Sequence, residues 1–465
     1  MSSEPQSFSD LDALFLAAET PSQHLHVLAT LVLDRSATPG ADVFDLFQSR
    51  IRERYRMIQP LTRSPMRSFV GPPMWVEDPD DHLQRHLHHV LLKEGSGLDA
   101  LAAMAGEIAS HPLPRDRPLW EAWLVEGFDD DQWAVIAKIH HSAVDGVSGI
   151  FALAGFFDLE PSPPPSPIMP SPTEIEPPSA ASVVSTTIRA LRRKPAAVVS
   201  GLERVATSAV ALVSPRSETA PLPGTGPRMR YNRALTPRRS VALSTLRLDE
   251  VKAVARGFGV SVNDVVVALC AGVLRRQALQ SKDEPERPIV AAIPVSERRP
   301  EDGPVGNRLS FMFYALPIHL PSARERVAFV KRSAHDAKRV YAKAGQGLFS
   351  AFAAVVPKFA VGPAMKAMSS VRAANVMPPL VNVLISSIKG PELPLYVAGS
   401  RLASMFPMGP VIEGVGLGIT AVSFSDEMAF GFIGCADLIE DIHELSLGLH
   451  LELAAMEDCL ESRGP

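Results

Sequence analysis

Runs of apolar residues alternate with amphipathic stretches along most of the chain. Apolar runs rich in Val, Ile, Leu and Phe predict strands at 26–34, 133–141, 289–296, 309–318, 380–388, 419–426 and 428–434. Apolar residues three or four positions apart predict helices at 41–55 and 98–110, from about Leu248, from Ser261 or Asn263, and over 436–460. Both halves of the chain are therefore predicted to be mixed α/β.

A proline-rich segment separates these two halves. Residues 161–178 contain nine prolines in eighteen positions, which removes the backbone donors that a helix or a central strand needs. The following stretch, 181–213, has apolar residues at helical spacing and predicts two amphipathic helices broken near Pro195. We therefore expect a first lobe over 1–160, a linker with amphipathic helices over 161–240, a second lobe over 241–465, and a cleft between the lobes.

Composition narrows the class of protein. A chain of 465 residues is too long for one compact core, which favours two or three packed units. With 46% hydrophobic residues and a mean hydropathy of +0.09, it is predicted to be globular and somewhat more apolar than usual. The 46 basic and 51 acidic residues give a net charge of -5, so nucleic acid is not an expected partner.

Cysteine usage and hydropathy predict a cytoplasmic location. The three cysteines, Cys270, Cys435 and Cys459, are widely spaced and odd in number, which is typical of reduced thiols and predicts neither disulfides nor a cysteine zinc site. The first residues lack the basic region of a secretory signal. Nowhere do about 18 apolar residues follow one another, so any membrane contact is predicted to be peripheral.

The strongest local signal is the segment HHSAVDG at 140–146, which directly follows an almost wholly apolar strand. Adjacent residues of a strand point in opposite directions, so one of His140 and His141 faces any cleft; parity alone leaves open which one. An imidazole that titrates near neutrality can accept a proton from a hydroxyl or thiol. Asp145 can fix the loop or a ring tautomer, and Gly146 permits close approach of a substrate or a backbone.

This segment matches the HHxxxDG motif of the CoA-dependent acyltransferase superfamily. Across nearly its whole length the chain resembles the bacterial wax ester synthase/diacylglycerol acyltransferase family, with further blocks in the family's order: LDALFLAAETPSQHLHV (11–27), SHPLPRDRPLWEAWLVEG (110–127), SVNDVVVALCAGVLRR (261–276) and NVLISSIKGP (382–391). One departure is that 386–389 reads SSIK where the family usually has a second Asn. The chain also lacks the Asp-Phe-Gly-Trp-Gly motif, which argues against chloramphenicol acetyltransferase itself.

The resemblance implies an α/β fold of two chloramphenicol-acetyltransferase-like lobes, each a mixed sheet with flanking helices, and an active-site tunnel between them. It implies that His141 is the general base, supported by His140, and that acyl transfer is direct, without an acyl-enzyme on Ser142. In relatives the Asp of the motif is structural and pairs with a distant arginine. For Asp145 the candidate partner here is Arg298.

Other residues have more than one interpretation. Asn263 and Asp264 either cap a helix or support the site. Trp120 packs beneath the histidine strand or lines the tunnel, and Asn382 supports the site from the late block. The histidines His82, His86, His88 and His89 suggest a metal site by spacing, but apolar residues interleave and no cysteine or carboxylate completes a ligand set. We therefore expect no metal there.

The resulting hypothesis is an acyltransferase that moves a long-chain acyl group from CoA to diacylglycerol, a fatty alcohol, or both. Acyl-CoA is then a substrate, and no cofactor is expected. The stretches 181–213 and 347–368 predict peripheral docking on the inner membrane or on lipid droplets. Two alternatives stay open, namely another acceptor such as a polyketide-type diol or an amine, and a non-catalytic lipid-binding protein. Acyl length and oligomeric state are also left open.

Overall fold

A computed structural model gives the structure of the protein. It describes residues 4–36, 40, 42–66, 73–78, 83–144, 155–163, 179–212, 219–283, 286–297, 309–344 and 347–462.

The described strands form two six-stranded sheets and one three-stranded sheet. In chain order they are β1 (Gln6–Ser7), β2 (His26–Asp34), β3 (Arg63–Met66), β4 (Met74–Glu77), β5 (Leu87–Leu91), β6 (Trp120–Glu126), β7 (Gln132–His140), β8 (Arg239–Arg247), β9 (Ile289–Ser296), β10 (Leu309–Leu316), β11 (Val383–Lys389), β12 (Tyr396–Val397), β13 (Ser400–Met408), β14 (Leu417–Phe424) and β15 (Glu427–Cys435). The small sheet contains β1, β4 and β3.

Helices flank these sheets. In chain order they are α1 (Asp10–Ala18), α2 (Val43–Arg54), α3 (Gly97–Ala109), α4 (Ala180–Leu212), α5 (Leu248–Phe258), α6 (Val262–Gln280), α7 (Ala323–Ala344), α8 (Leu348–Val355), α9 (Lys358–Ser370) and α10 (His443–Glu461). Short 3-10 turns lie at Tyr55–Met57, Gln59–Leu61, Leu83–Arg85 and Ala373–Asn375. The α/β class predicted from the sequence is confirmed.

The first sheet has the order β12-β13-β2-β7-β6-β5, and the second has the order β10-β9-β11-β14-β15-β8. At the centre of the first sheet, β2 and β7 are antiparallel over nine residue pairs, from His26 with His140 to Asp34 with Gln132. Apolar side chains at nearly every position of β7 suit a strand that is buried on both faces. The second sheet is mixed, because β11 runs parallel to β9 and β14.

The second half of the chain contributes two strands to the first sheet. Strand β13 pairs with β2 and carries β12 on its outer edge. It also lies against β15, where a Cβ added at Gly431 would come within 2.7 Å of the Pro407 carbonyl oxygen. Glycine is needed at such a close backbone approach. The boundaries at 160 and 240 stay a prediction, but sheet membership does not follow them, since residues beyond 395 complete the first sheet.

Most predicted elements agree with the structure to within a few residues, but several differences remain. Helix α4 is continuous through Pro195, so the predicted break there was wrong. Proline removes one backbone hydrogen bond, and a helix of 33 residues keeps the rest. The last helix begins at His443 rather than at 436. Several elements were not predicted, among them strands β6 and β13 and helices α1 and α7.

The length and apolar character of each helix bear on whether the chain could span a membrane. Among those described, none alone is long and apolar enough to cross a membrane, and α5 with α6 reaches that length only as a pair bent by 99°.

Candidate active site

The histidine strand β7 ends where the two sheets face each other. The side chains of Ala137, Ile139 and His141 line a cavity, whereas Lys138 and His140 lie on the opposite face of the strand. The hydrogen bond from the His141 backbone N–H to the Leu25 carbonyl, 2.8 Å long, continues the pairing of β7 with the start of β2. The structure thus shows that His141, and not His140, is the histidine that faces the cleft.

The cavity has a volume of about 1150 Å³ and lies between the two lobes. Strands β2, β7 and β13 of the first sheet and β9, β10, β11 and β14 of the second contribute to its wall, together with α1, α8 and α9. Most of the lining side chains are apolar, including Phe15, Phe311, Phe313 and Phe349. A space of this size and chemistry suits long hydrocarbon chains.

The ring of His141 is held against the cavity wall. It stacks on Phe15 of α1 with ring centroids 4.4 Å apart and an angle of 28° between the planes. Helix α1 begins at a well-formed cap, since the Ser9 hydroxyl accepts the Asp12 N–H. Although only 7% of His141 is exposed to solvent, its side chain reaches the cavity. The arrangement presents one oriented imidazole to whatever the cavity holds.

His140 is fully buried behind the strand. Its Nδ1 accepts the Ser142 backbone N–H at 3.1 Å and lies 2.7 Å from the Ser142 hydroxyl, so the ring proton is on Nε2. That nitrogen faces Glu19 Oε1 at 3.8 Å, and Glu19 forms an ion pair with Arg115. Burial, followed by the charges of Arg115 and His141, holds the pKa of His140 well below 6.5. His140 is therefore neutral near pH 7 and acts as a rigid support.

Family models match two parts of the chain. Residues 8–266 match the wax ester synthase/diacylglycerol acyltransferase catalytic domain, and residues 305–457 match the C-terminal domain of the same family. The chain belongs to the wax ester synthase/diacylglycerol acyltransferase family. It is an acyl-CoA-dependent acyltransferase of this type, as the resemblance implied.

Relatives of the chain match nearly its whole length. A Mycobacterium tuberculosis (strain CDC 1551 / Oshkosh) protein named as a diacylglycerol O-acyltransferase is 33% identical over 467 residues, which is 98% of this chain and 91% of the relative. A second protein of that strain, with the same kind of name, is 32% identical over 448 residues, or 95% of this chain and 93% of the relative.

Solved structures confirm the two-lobed fold. The wax ester synthase/diacylglycerol acyltransferase from Marinobacter aquaeolei VT8 superposes with a TM-score of 0.71 at 25% identity, covering 98% of this chain and 100% of that one. The first condensation domain of the CDA synthetase superposes with a TM-score of 0.54 at 14% identity, covering 98% and 97%. The second likeness concerns the fold alone.

The family's Asn-Asp block lies at the start of α6. Ser261 is the N-cap, and Asp264 completes a capping box by accepting the Ser261 N–H through Oδ2 at 3.0 Å. Asp264 is buried and its Oδ1 has no hydrogen-bond partner among the described residues. Asn263 lines the cavity. The two residues thus divide the predicted roles, since Asp264 caps the helix and Asn263 lies at the site.

Trp120 and Asn382 are placed in the framework around the site. Trp120 is buried, stacks on His86 and donates its indole N–H to the Leu61 carbonyl at 3.0 Å; it does not line the cavity. Asn382 precedes β11, where its Oδ1 accepts the Val290 N–H at 2.8 Å. Asn382 therefore joins β9 to the start of β11, and both strands line the cavity, whereas Trp120 packs beside the histidine strand β7.

Three of the predicted site residues, Asp145, Gly146 and Arg298, lie outside the described residues, so their roles stay predictions. Of the suggested metal cluster, His82 also lies outside, while His86 and His88 stack on tryptophans and His89 pairs with Glu126.

Sequence reasoning did not single out two features of the site. Phe15 falls within the opening family block, so the block marked its segment but not its contact with His141. Glu413 lines the cavity and donates its backbone N–H to Gln23 Oε1 at 2.6 Å, which joins the two lobes. Burial raises the pKa of the Glu413 carboxyl. Gln23 lies within the opening family block, but no motif marks Glu413 or the contact between them, because the two residues come together only when the lobes pack.

Proposed function

We propose that the protein transfers a long-chain acyl group from CoA to diacylglycerol, to a fatty alcohol, or to both. The observation that carries this proposal is His141 on the wall of a largely apolar cavity of about 1150 Å³ between the lobes. Hydrocarbon chains favour such a space because their transfer from water is favourable by about 0.8 kcal/mol for each buried CH₂ group. The imidazole supplies the one polar function that an acyl transfer to a hydroxyl requires.

In the proposed reaction His141 is the general base. It removes the proton of the acceptor hydroxyl while the hydroxyl oxygen forms a bond to the thioester carbon, because an alcohol is too weakly acidic to react unaided near pH 7. The tetrahedral intermediate then expels the CoA thiolate, which takes the proton from the imidazolium. The products are the new ester and free CoA, and the balance needs no cofactor.

The surroundings of His141 support direct transfer rather than an acyl-enzyme. The Ser142 hydroxyl contacts His140 behind the strand, and Ser142 does not line the cavity. The three cysteines do not line the cavity either, and burial raises the pKa of Cys270 to about 12. A nucleophile would have to be an ionised or activated group beside the thioester.

We further propose that the protein docks peripherally on a membrane or lipid droplet through α8, α9 and the residues that follow them. Phe359 is 86% exposed and Val376 is 82% exposed. The stretch 337–391 contains seven basic residues and no acidic one, in a chain whose net charge is negative. Exposed apolar groups among basic ones favour an anionic lipid surface, and co-sedimentation with phosphatidylglycerol vesicles, compared with Phe359→Asp, tests this docking.

The decisive experiment incubates purified protein with labelled palmitoyl-CoA and either dioleoylglycerol or hexadecanol. Wild type is expected to form triacylglycerol or wax ester, and His141→Ala is expected to lower turnover by about 100-fold or more with the fold retained. His111→Ala is the matched control, since the His111 side chain is 68% exposed. Product and free CoA are both measured.

Each outcome separates the proposal from its rivals. Activity of His141→Ala near that of wild type overturns the general-base assignment. Release of CoA without either lipid product indicates another acceptor, such as a polyketide-type diol or an amine. Absence of CoA release, with binding of the lipids unaffected by His141→Ala, indicates a non-catalytic lipid-binding protein.

A further inference from the structure

The first sheet fixes the backbone of His141 but not the plane of its ring. The main chain is held by the hydrogen bond from the His141 N–H to the Leu25 carbonyl. The second side-chain torsion of a histidine has a broad range, so the ring turns unless a neighbour packs against it. A general base must direct one ring nitrogen at the proton that it removes, within hydrogen-bond reach. The residue that fixes the ring plane therefore bears on the reaction itself.

Phe15 packs face to face against this ring. The centroid distance of 4.4 Å and the angle of 28° between the planes are those of a stack. A stacked neighbour covers one face of an imidazole, whereas the hydrogen bonds of the two ring nitrogens lie in the plane of the ring. Phe15 thus restricts the rotation of the ring without occupying the nitrogen that would act as the base.

The helix that carries this phenylalanine, α1, packs on helices of the second lobe. Leu11 and Leu14 of α1 are buried in one apolar cluster with Ala353 of α8. A Cβ added at Gly362 of α9 would lie 3.2 Å from the Ala17 carbonyl oxygen, so α9 approaches the backbone of α1 closely. Although α1 precedes the strands of the first sheet in the chain, these contacts join it to the second lobe.

Polar contacts connect both ends of α1 to the second lobe. At its start, Asp10 pairs with Lys358 of α9 at 2.6 Å. At its end, the Gln23 side chain donates to the Ala18 carbonyl at 2.8 Å and accepts the Glu413 N–H at 2.6 Å. Ala18 is the last residue of the helix, so its carbonyl has no partner within the helix. The second lobe therefore fixes the position of α1 at both ends.

We propose that Phe15 is a positioning residue for the His141 base, and that the second lobe holds Phe15 in place through α1. The first lobe supplies the base and the second lobe supplies the contacts that orient its ring. The ring is therefore oriented for reaction only where the two lobes pack together. This inference rests on the proposed general-base role of His141. It gives Phe15 a function that an aliphatic side chain lining the same cavity could not fulfil.

The first test compares Phe15→Leu with Phe15→Tyr, with palmitoyl-CoA and hexadecanol as substrates. Leucine keeps an apolar side chain but removes the stack, so kcat is expected to fall about tenfold, while the KM for palmitoyl-CoA changes by less than about twofold. Tyrosine keeps the ring and is expected to keep kcat within about twofold of wild type. Phe8→Leu is the matched control and is expected to leave kcat unchanged, since Phe8 stacks on Trp75 at 4.0 Å, away from the cavity.

Two results of this comparison overturn the proposal. Equal falls in kcat for the leucine and tyrosine variants would show that the ring is not what matters. A rise in KM with kcat retained would show that Phe15 only lines the cavity.

The second test is a double-mutant cycle of Phe15→Leu with Gln23→Leu, which removes both hydrogen bonds at the end of α1. If α1 acts through Phe15, Gln23→Leu lowers kcat in the wild-type background and causes no further loss in the Phe15→Leu background. Losses that simply add would show that Gln23 acts by another route, and they overturn the role of α1.

A spectroscopic measurement separates this inference from the proposed function. In a proton–carbon NMR spectrum of protein labelled at histidine Cε1, the His141 signal is identified by its absence from His141→Ala. The ring current of Phe15 is expected to place it upfield of the signal of the exposed His111 in wild type, and Phe15→Leu is expected to remove this shift. If the signal behaves in this way but no lipid product forms, the orientation of the ring stands and the proposed function fails. If lipid forms and neither the signal nor kcat responds to Phe15→Leu, the positioning role fails.

Discussion

The two six-stranded sheets differ in continuity. In the first, β7 pairs with β2 along its whole length and with β6 over six residues. In the second, β9 and β11 share only two residue pairs before they separate. The continuous sheet fixes the position of His141, whereas in the split sheet two strands that line the cavity part from each other. The proposed general base is thus held by the continuous sheet, and the gap between strands lies in the other sheet.

The largest expected loss of stability comes from a substitution beside β12, the edge strand of the first sheet. Asp158 is buried, pairs with Arg50 at 2.7 Å and with Arg54 at 2.5 Å, and exchanges backbone hydrogen bonds with Tyr396 of β12. Asp158→Asn removes the buried carboxylate charge that both arginines contact, which is expected to cost about 3–5 kcal/mol of unfolding free energy. Urea unfolding measures this change.

The matched control for that variant is Glu53→Gln. Glu53 is half exposed and pairs with the same Arg50 at 2.9 Å, so its loss is expected to cost no more than about 1 kcal/mol. Equal losses for the two variants would show that the buried cluster does not hold the edge of the sheet.

A second prediction compares equivalent truncations in the two sheets. Ile136 of β7 is fully buried, and Ile136→Ala is expected to cost about 2–5 kcal/mol because it leaves a void in a packed layer. Ile293 of β9 lies just beyond the last residue that pairs with β11, and it lines the cavity, so part of its side chain faces open space. We therefore expect Ile293→Ala to lower the free energy of unfolding by at least about 1 kcal/mol less than Ile136→Ala does. Urea denaturation of both variants checks the difference, and equal costs contradict a split second sheet.

The smallest predicted effect is a loss of stability below pH 6.5, which is caused by the protonation of buried histidines in the first lobe. Burial lowers the pKa of His24, His26, His86, His88 and His140 below 6.5. The unfolded chain therefore binds protons first, so this contribution to stability is complete above pH 6.5 and is lost as the pH falls below it.

Thermal melts between pH 7.5 and 5 measure this loss. His26→Gln is expected to reduce the slope of Tm against pH, whereas His111→Gln, at an exposed position, is expected to leave it unchanged. A slope that His26→Gln does not alter would contradict the assignment to buried histidines.

The sequence predicted those parts of the fold that depend on local pattern. The continuous apolar runs gave β2 and β9 with the bounds that the structure shows. Strand β13 escaped prediction because it contains Arg401, Ser404 and Pro407, and its place next to β2 depends on pairing between distant segments. Helix α7 is amphipathic, with Val327, Val330 and Ala334 on its buried face, so its apolar spacing was a signal that the sequence analysis did not use.

The same limit applies to the site. HHSAVDG located the proposed general base, but strand parity could not decide between His140 and His141 until the partner strand was known. Pro294 is visible in the sequence as a proline within an apolar strand, and it lacks the N–H that would extend the pairing of β9 with β11. Which neighbour the backbone of this strand faces follows only from the contact between Val290 and Asn382.

The crossing of β13 into the first sheet has a consequence for synthesis on the ribosome. Strand β2 is made early, but its neighbour β13 emerges only after four of the six strands of the second sheet. Until then β2 has one unpaired edge, which is a template for pairing with other chains. The first sheet therefore cannot be completed before residue 408 has been synthesised, and we expect shorter nascent chains to aggregate more readily than the full chain.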